Sequence, residues 1–285
     1  MRRARGPRDK GRHARLPAPP PFAWTSGEIH ADILLGAGLL GAAYALAWAR
    51  GPCVGATRPV AFLAGLGALL AALNGPLHDL SDYYLFSAHM VQHLVLTLVV
   101  APLLLAGTPG WMLDRLLAPL LRRPLGRGAV RLTRPVPAIA LYAAALIAWH
   151  LPGPYTTALE IHGWHIVEHL VLLATAVLAW WPVASASTLA PRLHYGAQIL
   201  YLFAFGMPMT VVAAMITGAE QVLYPFYAAA PRLWGLTPLA DQRLGGVIMW
   251  VPAGVIPLLA FTVVFFRWAA AEADEEPSPV GEPLL

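Results

Sequence analysis

Seven stretches of this chain are long, apolar and almost free of charge, and nothing constrains its folding more. They run from about Ile33 to Trp48, Val60 to Leu77, Leu85 to Ala106, Val136 to His150, Trp164 to Trp181, Tyr195 to Thr217 and Leu244 to Phe266. Each approaches or exceeds the ~20 residues that cross a bilayer core of ~30 Å. In hydrocarbon every backbone polar group needs an internal partner, and single spans cannot close a barrel, so the spans are helices. The expected fold is all-α, a polytopic membrane helix bundle of about seven transmembrane helices. Composition agrees: 58% of the residues are hydrophobic and only 12% charged, whereas a soluble domain carries about 25% charged residues.

The flanks divide the chain into three parts. Residues 1–28 read as a basic, Pro-rich disordered tail, residues 29–268 as the transmembrane domain, and residues 269–285 as an acidic disordered tail. The first span is the weakest, and Ala45-Leu46-Ala47 resembles a signal-peptide cleavage site. It begins late and is long for a signal sequence, so it is read as a retained span. The one cysteine, Cys53, excludes an internal disulfide and any Cys-x-x-Cys metal motif.

Loop charges set the orientation. Arg50, Arg58, Arg115, Arg122, Arg123, Arg127, Arg131, Arg134, Arg192 and Arg267 fall on one side, and only Arg232 and Arg243 on the other. That predicts an outside N-terminus and a cytoplasmic C-terminus, in a bacterial plasma membrane. The arginine-rich N-terminal tail opposes it. The net charge of +4 belongs to these flanking segments, so lipid rather than nucleic acid is the expected contact. Phosphate-loop and nucleophile-elbow motifs are lacking, and no enzymatic activity is expected.

Alternation of the spans brings seven of the ten histidines to one membrane face: His78, His89, His93, His150, His162, His165 and His169. Imidazole is costly in lipid, so such a cluster reads as functional, and neutral imidazole is the commonest metal ligand. His89 and His93 are spaced i, i+4, as are His165 and His169, so each pair stacks on one helix face. At 1.5 Å per residue, His93 lies roughly 12 Å below Leu85 and His169 roughly 8 Å below Trp164. These four are the expected metal ligands, with His78, His150, His162, Glu168 and Met90 as possible additions. Glu168 is either a ligand or an acceptor that orients an imidazole. Met90 would suit soft Cu(I), as would Met207 and Met209. His30 and His194 read as hydrogen-bonding or snorkelling residues, and Gln92 as an interhelical hydrogen-bonding group. Asp79, Asp82, Glu160, Glu220 and Asp241 read as solvated loop charges, and Trp180 and Trp181 as interfacial anchors.

These motifs together resemble the CtaG family of integral-membrane cytochrome c oxidase assembly factors. The residues that carry the resemblance are Ser87-Ala88-His89-Met90-Val91-Gln92-His93, Ala101-Pro102-Leu103, Gly107-Thr108-Pro109, Trp149-His150-Leu151-Pro152-Gly153-Pro154-Tyr155, His165 with Glu168-His169, and Trp180-Trp181-Pro182. The match covers roughly residues 24–268. The resemblance implies an assembly factor for a haem-copper oxidase, associated with copper supply and with oxidase subunits as partners. Its histidine positions fall on His89, His93, His150, His165 and His169. Two rivals stand beside this reading. A haem-binding redox protein or haem-modifying enzyme would use opposed histidines as axial ligands. A metal-ion or proton transporter would need polar groups continuing through the apolar half of the spans.

Overall fold

The computed structural model describes residues 22–25, 27–52 and 54–275. Most of the basic tail, the last ten residues of the acidic tail and Cys53 lie outside the described residues. Helices account for all regular structure there: α1 (Ala31–Ala49), α2 (Thr57–Leu73), α3 (Pro76–Tyr83), α4 (Phe86–Leu94), α5 (Ala101–Gly107), α6 (Gly110–Leu121), α7 (Pro124–Arg131), α8 (Pro135–His150), α9 (Pro152–Glu160), α10 (His162–Ala184), α11 (Tyr195–Gly218), α12 (Pro225–Ala229) and α13 (Pro238–Glu275). A π-helical segment, Val95–Val100, joins α4 to α5. Among the described residues, five helical runs are long and apolar enough to cross a membrane, and up to seven if the bent pairs α2–α3 and α7–α8 each count as one.

Local chemistry explains the irregularities. Gly75 takes φ +72 between α2 and α3, a left-handed conformation that glycine adopts freely, and the two helices meet there at 45°. Pro102 stands near the start of α5. Its ring would clash with the carbonyl four residues earlier, Leu98, and Leu98 lies in the π segment, where the backbone is already wider. Parts of both expected tails are described and structured. Phe22 packs edge-on against Trp24 and Tyr84, and α13 continues through Glu275 because Ala269, Ala270, Ala271 and Ala273 are strong helix formers.

Lipid gives helices no hydrophobic reason to associate, so close packing and interhelical hydrogen bonds hold the bundle. α11 and α13 share the broadest contact, and α10 packs against α8 and α5. Trp180 donates to Thr97 O at 2.9 Å, and Tyr201 to Ala179 O at 2.7 Å. Such bonds average about 0.6 kcal/mol in membrane proteins, so their number matters more than any one. Trp180 and Trp181 are buried rather than interfacial. Their indoles find backbone acceptors inside the fold, Trp181 using Ala190 O at 2.8 Å.

Asp241 is also buried, not solvated. It reaches from α13 to the start of α4 and accepts from Phe86 N at 2.9 Å, Ser87 N at 3.1 Å and Ser87 Oγ at 2.6 Å. A carboxylate there satisfies donors that a helix start leaves free and complements its dipole. This cap fixes the first turn of α4, one turn ahead of His93. At the opposite end of the bundle Asp114 ties α6 to the loop between α10 and α11, accepting from Ser187 Oγ at 2.5 Å and Thr188 Oγ1 at 2.6 Å.

Candidate metal centre

α4 and α10 each project one face into the same buried space. His89 and His93 come from α4, and Glu168 and His169 from α10. One ligand atom from each of these four lies within 4.8 Å of all the others. The nitrogens His89 Nε2 and His93 Nε2 are 2.8 Å apart. Glu168 Oε2 lies 4.0 Å from His89 Nε2, and Oε1 lies 3.8 Å from His93 Nε2. An ion with bonds of 2.0–2.1 Å separates tetrahedral ligands by roughly 3.3 Å, so small rotations would bring this set onto one ion.

Burial makes the arrangement costly unless something compensates it. Glu168 is 0% exposed, and neither of its oxygens has a hydrogen-bond partner among the described residues. His169 Nε2 and His150 Nε2 are likewise buried without partners. A buried ionic group without compensation is strongly disfavoured, and a cation held by these atoms would offset that penalty.

Neighbouring groups orient two of the imidazoles. Burial pushes the Tyr227 phenol well above its ordinary range, so it keeps its proton. It donates that proton to Ser81 O and stands 3.2 Å from His89 Nδ1. His89 Nδ1–H therefore donates to Tyr227, which leaves the Nε2 lone pair facing His93 and Glu168. His150 does the same through Leu146 O, 2.7 Å from its Nδ1, and its ring centre lies 5.8 Å from that of His93. Such anchoring is how metal-binding histidines are usually oriented.

The other expected residues divide by depth. His165 is buried one turn before His169, with ring centres 4.3 Å apart. It meets Asp82 rather than the four-residue set: its Nδ1 lies 3.5 Å from Asp82 Oδ2. Asp82, His89 and His165 form a second close group. His78 is buried beside Asp82 at 3.4 Å, and His162 is exposed at the rim. Met90 packs in the apolar core against Phe86 and the α13 backbone at Gly245. Gln92 bridges helices as expected, donating to Ala72 O at 2.9 Å.

Sequence reasoning missed four participants. Asp79 and Asp82 read as solvated, yet Asp79 is buried, accepting from Glu28 N at 3.1 Å, and Asp82 faces two imidazoles. His30 stands 4.3 Å from His78, ring centre to ring centre. Its position before the first span put it at the histidine end, a signal that alternation alone contains. Tyr227 comes from a short helix between spans and had no sequence signal.

A family model described as cytochrome c oxidase caa3 assembly factor matches residues 39–271. An uncharacterized protein of Mycobacterium bovis is 27% identical over 275 residues, covering 89% of this chain and 41% of its own length. One from Mycobacterium tuberculosis matches to the same extent. One from Mycobacterium leprae is 25% identical over 279 residues, with the same coverage. The chain thus spans about two-fifths of the length of these curated relatives. No solved structure matches it.

Proposed function

The chain belongs to the family of cytochrome c oxidase caa3 assembly factors, and we propose that it serves oxidase assembly by holding copper between His89, His93, Glu168 and His169. One observation carries this reading: three imidazoles and a carboxylate converge from two helices, buried, with the carboxylate lacking any other partner among the described residues. A cation is the group such a set compensates. Nitrogen and oxygen donors suit several divalent metals, and Cu(II) stands highest in their general order of affinity. With Met90 in the apolar core, sulfur no longer argues for Cu(I). A haem would need two imidazoles on opposite faces of a flat ring, whereas His89 and His93 stand side by side in hydrogen-bond contact at 2.8 Å, so this pair leaves no room for a ring between them.

On this reading the histidine end faces outside, because the arginines crowd the opposite end and retained positive charge marks the cytoplasmic side. Copper taken up there would reach an external oxidase centre without crossing the bilayer. The test is the copper-to-haem ratio of oxidase isolated from cells that depend on this chain. Replacement by His93→Ala, at unchanged protein level, is expected to lower that ratio. A full ratio would remove the reading.

A further inference from the structure

We propose that Asp82 and His165, sharing His89 with the buried centre, form an outer cation station through which a divalent metal ion is loaded. The proposal rests on the copper reading of that centre. Its observations concern Asp82 and His165, which the buried centre does not use.

Histidine rings run without a gap from the rim inward. His162 is exposed. Ring centres are then 6.1 Å from His162 to His30, 4.3 Å to His78, 6.0 Å to His165 and 5.4 Å to His89. Asp82 lies beside the middle of this series with its side chain 20% exposed, so solvent still reaches it, deeper than the more exposed Glu28 beside His30.

Asp82 is held, not free. Ser81 Oγ lies 2.9 Å from its Oδ1. Gln92 sets the second contact. Its amide nitrogen donates to Ala72 O at 2.9 Å, which fixes the orientation of the amide, and its other N–H meets His78 Nδ1 at 2.9 Å. His78 Nδ1 is therefore an acceptor and Nε2 carries the proton, which faces Asp82 Oδ2 at 3.4 Å. His78 positions the carboxylate and is not a ligand. Asp82 Oδ2 then stands 3.5 Å from His165 Nδ1, near the roughly 3.3 Å that separates donors around a tetrahedral ion. His165 Nε2 is buried with no hydrogen-bond partner among the described residues.

Ligand atoms of Asp82, His89 and His165 all lie within 4.8 Å of one another, and His89 also belongs to the inner set. Transfer then needs no redox step. His89 stays bound while Glu168 replaces Asp82, His169 replaces His165 and the neutral imidazole of His93 joins as a fourth ligand. One carboxylate succeeds another and one imidazole another, so the charge around the ion is conserved. Because His89 is shared, the two stations are alternatives for one ion.

The test uses the full chain in detergent, stripped of metal by a chelator, with Cu(II) as the probe. With the inner centre intact, Asp82→Asn should slow loading at least about tenfold, the lower end for loss of a group supporting a metal site, while final occupancy changes little. In His93→Ala/His169→Ala, one weaker Cu(II) should remain, and adding Asp82→Asn should abolish it. Loading of Asp82→Asn at the native rate would overturn the outer station and leave the buried centre untouched. Cu(II) binding that ignores His93→Ala/His169→Ala but vanishes with Asp82→Asn would keep the outer station and remove the copper reading of the inner one.

Discussion

At the scale of single residues, Glu168 decides how the centre works. A carboxylate fully buried and unpartnered among the described residues, about 4 Å from two imidazole nitrogens, is on the proposed reading a ligand and not a prop for an imidazole. Glu168→Gln should therefore weaken copper binding about as much as His169→Ala, more than the 10–100-fold typical of a supporting group. Equilibrium titration checks this, and a markedly smaller loss in Glu168→Gln would return the carboxylate to a supporting role. The spacing of His89, His93, His165 and His169 made the pairs legible, since i, i+4 fixes a shared helix face whatever surrounds it. Their partition was not. His165 turns to Asp82 because the α2–α3 bend brings that carboxylate over α10, and a bend at one glycine leaves no trace in the histidine pattern.

At the scale of elements, the histidine-bearing turn of α4 depends on a residue 154 positions away. Asp241 supplies the acceptors for Phe86 N and Ser87 N. Asp241→Ala should cost about 1–2 kcal/mol as a lost helix cap, seen as a lower unfolding midpoint in detergent, with weaker copper binding from the loosened α4. An unchanged midpoint would show that the cap is dispensable. The spans themselves were readable from hydropathy almost to the residue at several ends, because lipid imposes one rule on every turn. Asp241 was not, since a loop acid and a capping acid have the same sequence signature until the helix it caps is packed beside it. Trp180 and Trp181 misled for a related reason: at the end of a span tryptophan suits an interface, but a carbonyl such as Thr97 O draws it inward.

At the scale of the molecule, alternation of spans sorts the chain into a histidine end and an arginine end, and the proposed copper route depends on which end faces out. Cysteines at Gly128 and Gly163 test the orientation, since a side chain meets nothing within 4 Å at either position. The cysteine at Gly163 should react with an impermeant thiol reagent in intact cells and the one at Gly128 should not; the reverse would turn the histidine end to the cytoplasm. The central claim is that two separate spans meet on one ion, and a double-mutant cycle tests it most directly. Copper affinity is measured for the native chain, His93→Ala, His169→Ala and the double variant. Ligands of one ion couple strongly, so the double variant should lose little more at this centre than the worse single. Losses that simply add in free energy would contradict a shared site.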